Sequence, residues 1–229
     1  MSLAIDFIQA FPRDFAHVIE GLSEKPPQTN VDEDFRLLNQ WTAERTRSPV
    51  VRLWLNSECL VTTRRLAKRH EYPEAATAAE RAGWPVTIRR TGGSTVPHAK
   101  GVANVSLIHR TESLRPSVGY EPLLKILSKA IDRFGVTAVP GDVRGSLCDG
   151  AHNLTIDGRK VAGLAAFSRT LDATYWLVHA SVFVDCELTV MVDMVSEFER
   201  RLGCNPRYEV ERHTTLSAHL GRTTSCSEE

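Results

Sequence analysis

Two stretches of the chain carry residue types that can do covalent or ionic chemistry. The first is RRTGGSTVPHAKGVANVSLI, Arg89 to Ile108. Two arginines precede a glycine pair, a histidine follows, and the segment then turns apolar. Gly92 and Gly93 allow positive φ and a close backbone approach to a ligand. Alternation along a strand sends Arg89 and Arg90 to opposite faces, so one can face a ligand and the other solvent. His98 lies across the loop from Arg90. A guanidinium and an imidazole together suit a carboxylate, a phosphate or a carbonyl. The same local features also fit a plain glycine hairpin flanked by solvated arginines.

The second stretch is GDVRGSLCDGAHNLTIDGRKVAG, Gly141 to Gly163. Cys148 sits in a glycine-flanked loop, and Lys160 follows on a hairpin whose Asp157-Gly158 pair is a type I′ turn signal. A two-residue turn pairs Lys160 with Thr155 and points it away from the face of Val161 and Gly163. If that face holds the site, the ammonium approaches the Cys148 loop. A nearby cation favours the thiolate and can lower a cysteine pKa from about 8.5 by one unit or more. It can also polarise an acyl carbonyl as negative charge develops. The plain alternative is an idle cysteine and a solvated hairpin lysine.

The bulk properties narrow the field. The chain has 229 residues, of which 42% are hydrophobic, enough for a real core. Lys plus Arg equals Asp plus Glu at 28 each. A net charge of zero argues against nucleic acid or an anionic membrane as the main partner. Five cysteines with no CxxC pair suggest neither a disulfide framework nor a zinc site, but reduced thiols in a cytoplasmic protein. The N-terminus carries Asp6, Pro12 and Asp14 and does not read as a signal peptide. No apolar run is long enough to span a membrane. Phosphate-loop, dinucleotide, HExxH and GxSxG patterns are missing, and the histidines are scattered, so no metal site is expected.

Periodicity supplies the elements that must position these residues. NVDEDFRLLNQWTAER predicts a helix, with Asn30 as cap, Glu33 at capping-box spacing, and Val31, Phe35, Leu38 and Trp41 on one face. Strands are predicted at PVVRLWLN, CLVTT, PVTIRR, GVANVSLIHR and YWLVHASVFV, and a hairpin at NLTIDGRKVAGLAAF. Helices are predicted at YPEAATAAERAG, YEPLLKILSKAIDRFG and TVMVDMVSEFERRLG. Hairpins and helices without strict βαβ alternation favour an α+β fold with a mixed, largely antiparallel sheet. The methionine stripe of the last helix reads as core, and Cys59, Cys186, Cys204 and Cys226 have no basic partner in sequence.

Taken in order, VVRLWLNSECLV, RRTGGSTVPHAKGVANVSLI and CDGAHNLTIDGRKVAGLA resemble the lipoate–protein ligase and octanoyltransferase family, related to biotin–protein ligases. The likeness implies an N-terminal extension at 1–30, a biotin/lipoate ligase-like acyltransferase domain at 31–203 and a tail at 204–229. It implies transfer of lipoyl or octanoyl groups to a lysine of lipoyl-domain proteins or the glycine-cleavage H protein, with acyl carrier protein as a possible donor. By the same likeness, Arg90, Gly92, Gly93 and His98 close over the acyl group. Lys160 contacts the acyl carbonyl, Gly163 of the same motif contributes to the substrate site, and Asn104 helps shape the pocket. Cys148 matches the nucleophile of the cysteine-type octanoyltransferases and lipoyl amidotransferases, which form an acyl thioester and need no cofactor beyond the transferred group. One alternative is a ligase that uses ATP and Mg²⁺ to make lipoyl-adenylate. Another is a non-catalytic binder of lipoyl ligands or lipoyl domains.

Overall fold

A computed structural model describes residues 2–13, 17–22, 25–148 and 150–221. The chain order is α1 (Leu3–Gln9), β1 (His17–Gly21), α2 (Pro27–Ala43), β2 (Val50–Trp54), β3 (Cys59–Thr63), α3 (Tyr72–Arg81), β4 (Val86–Arg89), β5 (Val96–His98), β6 (Val102–Thr111), α4 (Pro116–Asp132), β7 (Val139–Gly141), β8 (Asn153–Ile156), β9 (Arg159–Thr170), β10 (Thr174–Phe183) and α5 (Leu188–Arg201). The larger sheet runs β1-β2-β6-β10-β9-β8-β7, and the smaller runs β4-β3-β5. Only the β1–β2 and β3–β4 pairs are parallel among the described strands. The fold is therefore α+β with a mixed, largely antiparallel sheet. No helix among the described residues is long and apolar enough to cross a membrane.

Period-two alternation sorts the large sheet into two faces. One face carries Val51, Leu53, Val105, Leu107, Val178 and Val182, and α1 and α4 cover it. The N-terminal region therefore contributes to this core through Phe7, Ile8 and Phe11, and adds an edge strand, β1. The other face carries Val50, Ile108, Tyr175 and Leu177, and Phe35, Leu38 and Trp41 of α2 pack on it. Further along that face, Phe183 joins a cluster built from α3, α5 and the small sheet, with Leu60, Met191, Val195 and Phe198. Between the two apolar patches, β10 presents His179 and Ser181. The polar interval on that strand is where the small sheet meets the large one.

Two helix starts differ from the sequence expectation. α2 begins at Pro27, which suits the first helical turn because a proline there sacrifices no hydrogen bond. Asn30 is thus inside the helix and does not cap it; its side chain bonds Arg52 and Asn56. Glu33 pairs with Arg36 instead of closing a capping box. α4 begins at Pro116 for the same reason, four residues before the predicted Tyr120. The expected face of α2 is buried, with Val31, Phe35, Leu38, Trp41 and Thr42 inward. The hairpin turn holds as expected, with positive φ at Asp157 (49°) and Gly158 (73°).

An ion pair fastens α2 to the sheet. Arg52 on β2 is 2% exposed. It donates to Asp34 Oδ1 (2.8 Å), to the Asn30 carbonyl (2.8 Å) and to Asn30 Oδ1 (2.9 Å), and it lies 4.4 Å over the Trp54 ring. Ser106 donates to the other Asp34 oxygen at 2.7 Å. Burial pushes the Asp34 carboxyl up, and Arg52 and Ser106 oppose that push. Asp34→Ala would strand a buried guanidinium, so it is expected to cost about 3–5 kcal/mol in chemical denaturation. A loss below about 1 kcal/mol would mean that the pair contributes little.

Candidate active site

The site forms where the end of β4 and two loops meet over the polar interval of β10. β4 delivers Arg89, the loop after it delivers Gly93 and Ser94, and the loop before β8 delivers Cys148. Burial along β4 alternates, with Thr87 and Arg89 inside and Arg90 exposed. Arg89, and not Arg90, therefore reaches the cysteine. Its Nη2 lies 4.0 Å from the Cys148 sulfur and donates to the Ser94 carbonyl at 2.7 Å. The Ser94 N–H points at the same sulfur, 3.4 Å away. Gly93 has φ 102°, and a Cβ there would lie 2.5 Å from the sulfur and 2.8 Å from Arg89 Nη2. Only a glycine lets the backbone pass so close to both groups.

These contacts set the charge on the sulfur. Burial alone would push the Cys148 thiol up. The Arg89 guanidinium, then the Lys160 ammonium and the Ser94 N–H, outweigh burial and hold the thiol below the usual cysteine range. Unit charges 4 Å apart at an effective dielectric of about 20 interact by about 4 kcal/mol. By contrast, burial pushes the thiols of Cys59 and Cys186 up to about 12. Cys148 itself has φ 53°, a left-handed conformation that non-glycine residues rarely adopt and that often marks functional loops. Cys226 lies outside the described residues.

Lys160 is brought to the Cys148 loop, as its hairpin position suggested, but it grips the backbone. Its ammonium donates to the Leu147 carbonyl and, at 3.3 Å, to the Cys148 carbonyl. The side chain is 2% exposed. Thr155 does pair with Lys160, but the next pair is Leu154 with Ala162, so Val161 is the extra residue of a β-bulge. The bulge resets the alternation. Gly163 therefore lies on the Lys160 side and not, as simple alternation implied, on the opposite face. A Cβ on Gly163 would meet Lys160 Cε at 2.7 Å and Nζ at 2.8 Å. The glycine makes room for the lysine to fold back on the loop.

The other expected residues lie further out. Arg90 stacks over Phe35 with its guanidinium carbon 5.1 Å from the ring centre. His98 is buried between Asn56 Nδ2 (3.2 Å) and Ser181 Oγ (3.2 Å). Burial, with Arg89 adding, lowers its pKa to about 3, so the ring is neutral and holds no anion. Asn104 Oδ1 accepts the Ser181 hydroxyl at 2.9 Å. Gly92 has open space where a Cβ would go, so no close approach requires it. Arg90 and His98 border a cavity of about 10 Å³, and Cys148 and Ser181 border another of about 20 Å³. Arg89 and His179 line both. Each cavity has room for about one water molecule. Arg89 and His179 therefore stand between the two small cavities where the sheets meet. Next to the thiol loop, Tyr120 stacks on His152 (3.8 Å between ring centres) in a groove of about 690 Å³ between α4 and β7.

Several contributors came without a local sequence signal. His213, beyond α5, accepts the Leu147 N–H on Nε2 at 2.9 Å and donates from Nδ1 to the Glu209 carbonyl at 3.0 Å. His179 meets Thr91 Oγ1 at 2.8 Å. Arg89 did have a signal, since alternation separates it from Arg90. Alternation left open which arginine faces the site and the resemblance pointed to Arg90, whereas the buried face of β4 carries Thr87 and Arg89.

Comparison with known proteins places this geometry in context. A family model described as the lipoyl protein ligase A/B catalytic domain matches residues 26–228. An octanoyl-GcvH:protein N-octanoyltransferase of Kyrpidia tusciae is 32% identical over 181 residues, covering 75% of this chain and 62% of the relative. The chain thus spans less than two thirds of that relative's length. An uncharacterized protein of Cupriavidus necator is 31% identical over 187 residues, covering 75% of this chain and 74% of the relative. The solved structure of lipoate-protein ligase A bound with ATP has a TM-score of 0.66 at 15% identity, covering 91% of this chain and 79% of that one. At that identity the likeness shows the fold.

Two predictions test the geometry. Gly93→Ala is expected to cost about 1–3 kcal/mol, from positive φ and overlap with the sulfur, and to abolish rapid alkylation of Cys148 by iodoacetamide. Gly163→Ala is expected to melt close to wild type, because a flexible lysine end can yield, yet to slow that alkylation; equal rates would disconnect Gly163 from the loop. The second prediction concerns pH. Burial, then Lys160, lowers the His213 pKa to about 4. Between pH 6.5 and 4 the unfolded chain binds the proton and the folded chain does not, so this contribution is complete above pH 6.5 and is lost as pH falls. The loss is up to about 3 kcal/mol. His213→Gln should flatten that part of the stability curve, and an unchanged slope would show that His213 does not supply it.

Proposed function

Since the chain belongs to the lipoyl protein ligase A/B catalytic domain family, we propose that it transfers an octanoyl or lipoyl group to a protein lysine through an acyl thioester on Cys148. The observation that carries this reading is the sulfur held 4.0 Å from the buried Arg89 guanidinium and 3.4 Å from the Ser94 N–H. A thiolate is the form in which a cysteine acts as nucleophile, and both contacts favour it. The relatives named as octanoyl-GcvH:protein N-octanoyltransferases support the acyl group and suggest H protein as donor. Lipoyl-domain proteins are the acceptors in this reading, as is apo H protein for a carrier-protein donor. A nucleophilic thiol must stay reduced, which fits the cytoplasm.

The chemistry divides into two displacements. The Cys148 thiolate attacks the donor's acyl carbonyl, the bond from that carbon to the donor's nitrogen or sulfur breaks, and the leaving group takes a proton. A neutral acceptor lysine then attacks the thioester, the carbon–sulfur bond breaks to release the thiolate, and the amine nitrogen gives up one proton to solvent as the amide forms, replacing the proton that the donor's leaving group took. Negative charge builds on the acyl oxygen in both steps. Arg89 Nε is buried without a hydrogen-bond partner among the described residues, and an orphaned cationic donor beside the sulfur suits that oxygen. Lys160 serves by holding the loop carbonyls and by its charge. The acyl chain lies along the Tyr120–His152 groove beside the thiol loop. Burial of its methylenes at about 0.8 kcal/mol each supplies several kcal/mol of binding.

Intact-mass analysis after incubation with octanoylated H protein or octanoyl carrier protein tests the proposal. An octanoyl adduct is expected on the wild type and not on Cys148→Ala, with transfer to a lipoyl domain falling by about 10³-fold or more. An adduct that survives Cys148→Ala rules out this nucleophile. Pyrophosphate release from lipoate and ATP, undiminished in Cys148→Ala, would favour a ligase, and ligand binding with no turnover would favour a non-catalytic binder.

A further inference from the structure

The glycine loop that meets the sulfur is held from behind by two residues that touch neither the sulfur nor any expected substrate position. Ser94 is the node. Its N–H faces the Cys148 sulfur, its carbonyl accepts from Arg89, and its hydroxyl lies 3.3 Å from the Tyr208 phenol oxygen. The next residue, Thr95, donates its N–H to Glu199 Oε1 at 2.8 Å and bonds the Thr62 hydroxyl at 3.0 Å. The Tyr208 O–H donates to the other Glu199 oxygen at 2.8 Å. With that proton committed to the carboxylate, the Ser94 hydroxyl donates to the phenol oxygen. A single carboxylate thus ties down the loop backbone through one oxygen and the phenol through the other.

Its location argues against a packing role. Glu199 lies in the last turn of α5, where the helix dipole disfavours a negative charge, and it is 4% exposed. Burying a carboxylate costs several kcal/mol unless it is well bonded. The apolar contacts of α5 are already made by Met191, Val192, Val195 and Phe198. A leucine or methionine would fill this space at lower cost. What the carboxylate adds is two short charge-assisted hydrogen bonds, one to the loop backbone and one to the phenol that meets Ser94.

We infer that Glu199 and Tyr208 are positioning residues: they hold the Gly93–Thr95 loop so that the Ser94 N–H and the Arg89 guanidinium stay on the Cys148 sulfur, and they thereby set its reactivity. The inference rests on the reading of Cys148 as nucleophile, but its effect is measurable without any acyl donor.

The test combines the pH dependence of Cys148 alkylation with amide hydrogen exchange at Thr95 in wild type, Glu199→Ala, Glu199→Gln and Tyr208→Phe. Glu199→Ala and Tyr208→Phe are expected to raise the alkylation midpoint by about one pH unit. They are also expected to speed exchange at Thr95 by about tenfold. Glu199→Gln keeps an acceptor for the Thr95 N–H and is expected to stay close to wild type in both readouts. If Glu199 acted by charge alone, Ala and Gln would shift the midpoint together and downward, since removing a negative charge favours the thiolate; that result overturns the inference. Lower melting temperatures with an unmoved midpoint overturn it as well, by reducing the pair to structural supports. Should Glu199→Ala fail to fold, Tyr208→Phe carries the same two readouts and decides in the same way. Shifted midpoints in a protein that never forms an acyl adduct would uphold the brace and reject the proposed transfer.

Discussion

A guanidinium buried away from water has to be given partners, and much of this site follows from how Arg89 is given them. The chain offers it the Ser94 carbonyl and the Cys148 sulfur, and Nε has no partner among the described residues. Burial pushes Arg89 toward losing its charge, and the cysteine opposes that push, so each group favours the charged form of the other. The same cation shapes its neighbours. Burial and then Arg89 keep the His98 and His179 rings neutral, which leaves them to serve as hydrogen-bonding wall and not as competing charges. A thiolate with one dominant cationic partner is easier to hold in a single geometry than one shared among several.

The placement of that pair depends on the sheet. On β10 the inward positions run Tyr175, Leu177, His179, Ser181, Phe183, apolar at both ends and polar in the middle. The apolar ends are needed by α2 on one side and by α5 on the other. The polar middle receives the loops that carry Thr91, Ser94 and Cys148. Small, irregular features then set the distances: a positive φ at Cys148, a glycine against the sulfur, and a bulge that turns Lys160 and Gly163 to one side. These are local departures from regular structure, each with a cost, gathered within one part of the fold.

Distant segments complete the site. The segment after α5 supplies His213 under Leu147 and Tyr208 behind Ser94, and the Lys160 carbonyl accepts the Thr214 N–H at 2.9 Å. The region expected as a plain tail after residue 203 therefore bonds, as far as it is described, to both loops that meet at the sulfur. Likewise the region before residue 30 is tied into the sheet by α1 and β1. The first of these roles has no sequence pattern of its own, because a single hydrogen bond from a loop to a loop leaves no periodicity.

The sequence alone was enough for whatever short-range physics decides. Periodicity identified most helices and strands, the Asp-Gly pair identified the hairpin turn and the Thr155–Lys160 pairing, and motif order identified the family. It also singled out Cys148 among five cysteines and Lys160 as its neighbour. It went wrong where a choice depended on what lay on the far side of an element. Alternation said that Arg89 and Arg90 diverge, but only the packed sheets decide which face is inside, and the buried face of β4 proved to be the polar one. Alternation also could not foresee the bulge at Val161, which moved Gly163 beneath Lys160. His213, Glu199 and Tyr208 were invisible for a more general reason: their roles are contacts across more than fifty residues of chain, and such contacts exist only once the core has closed around them.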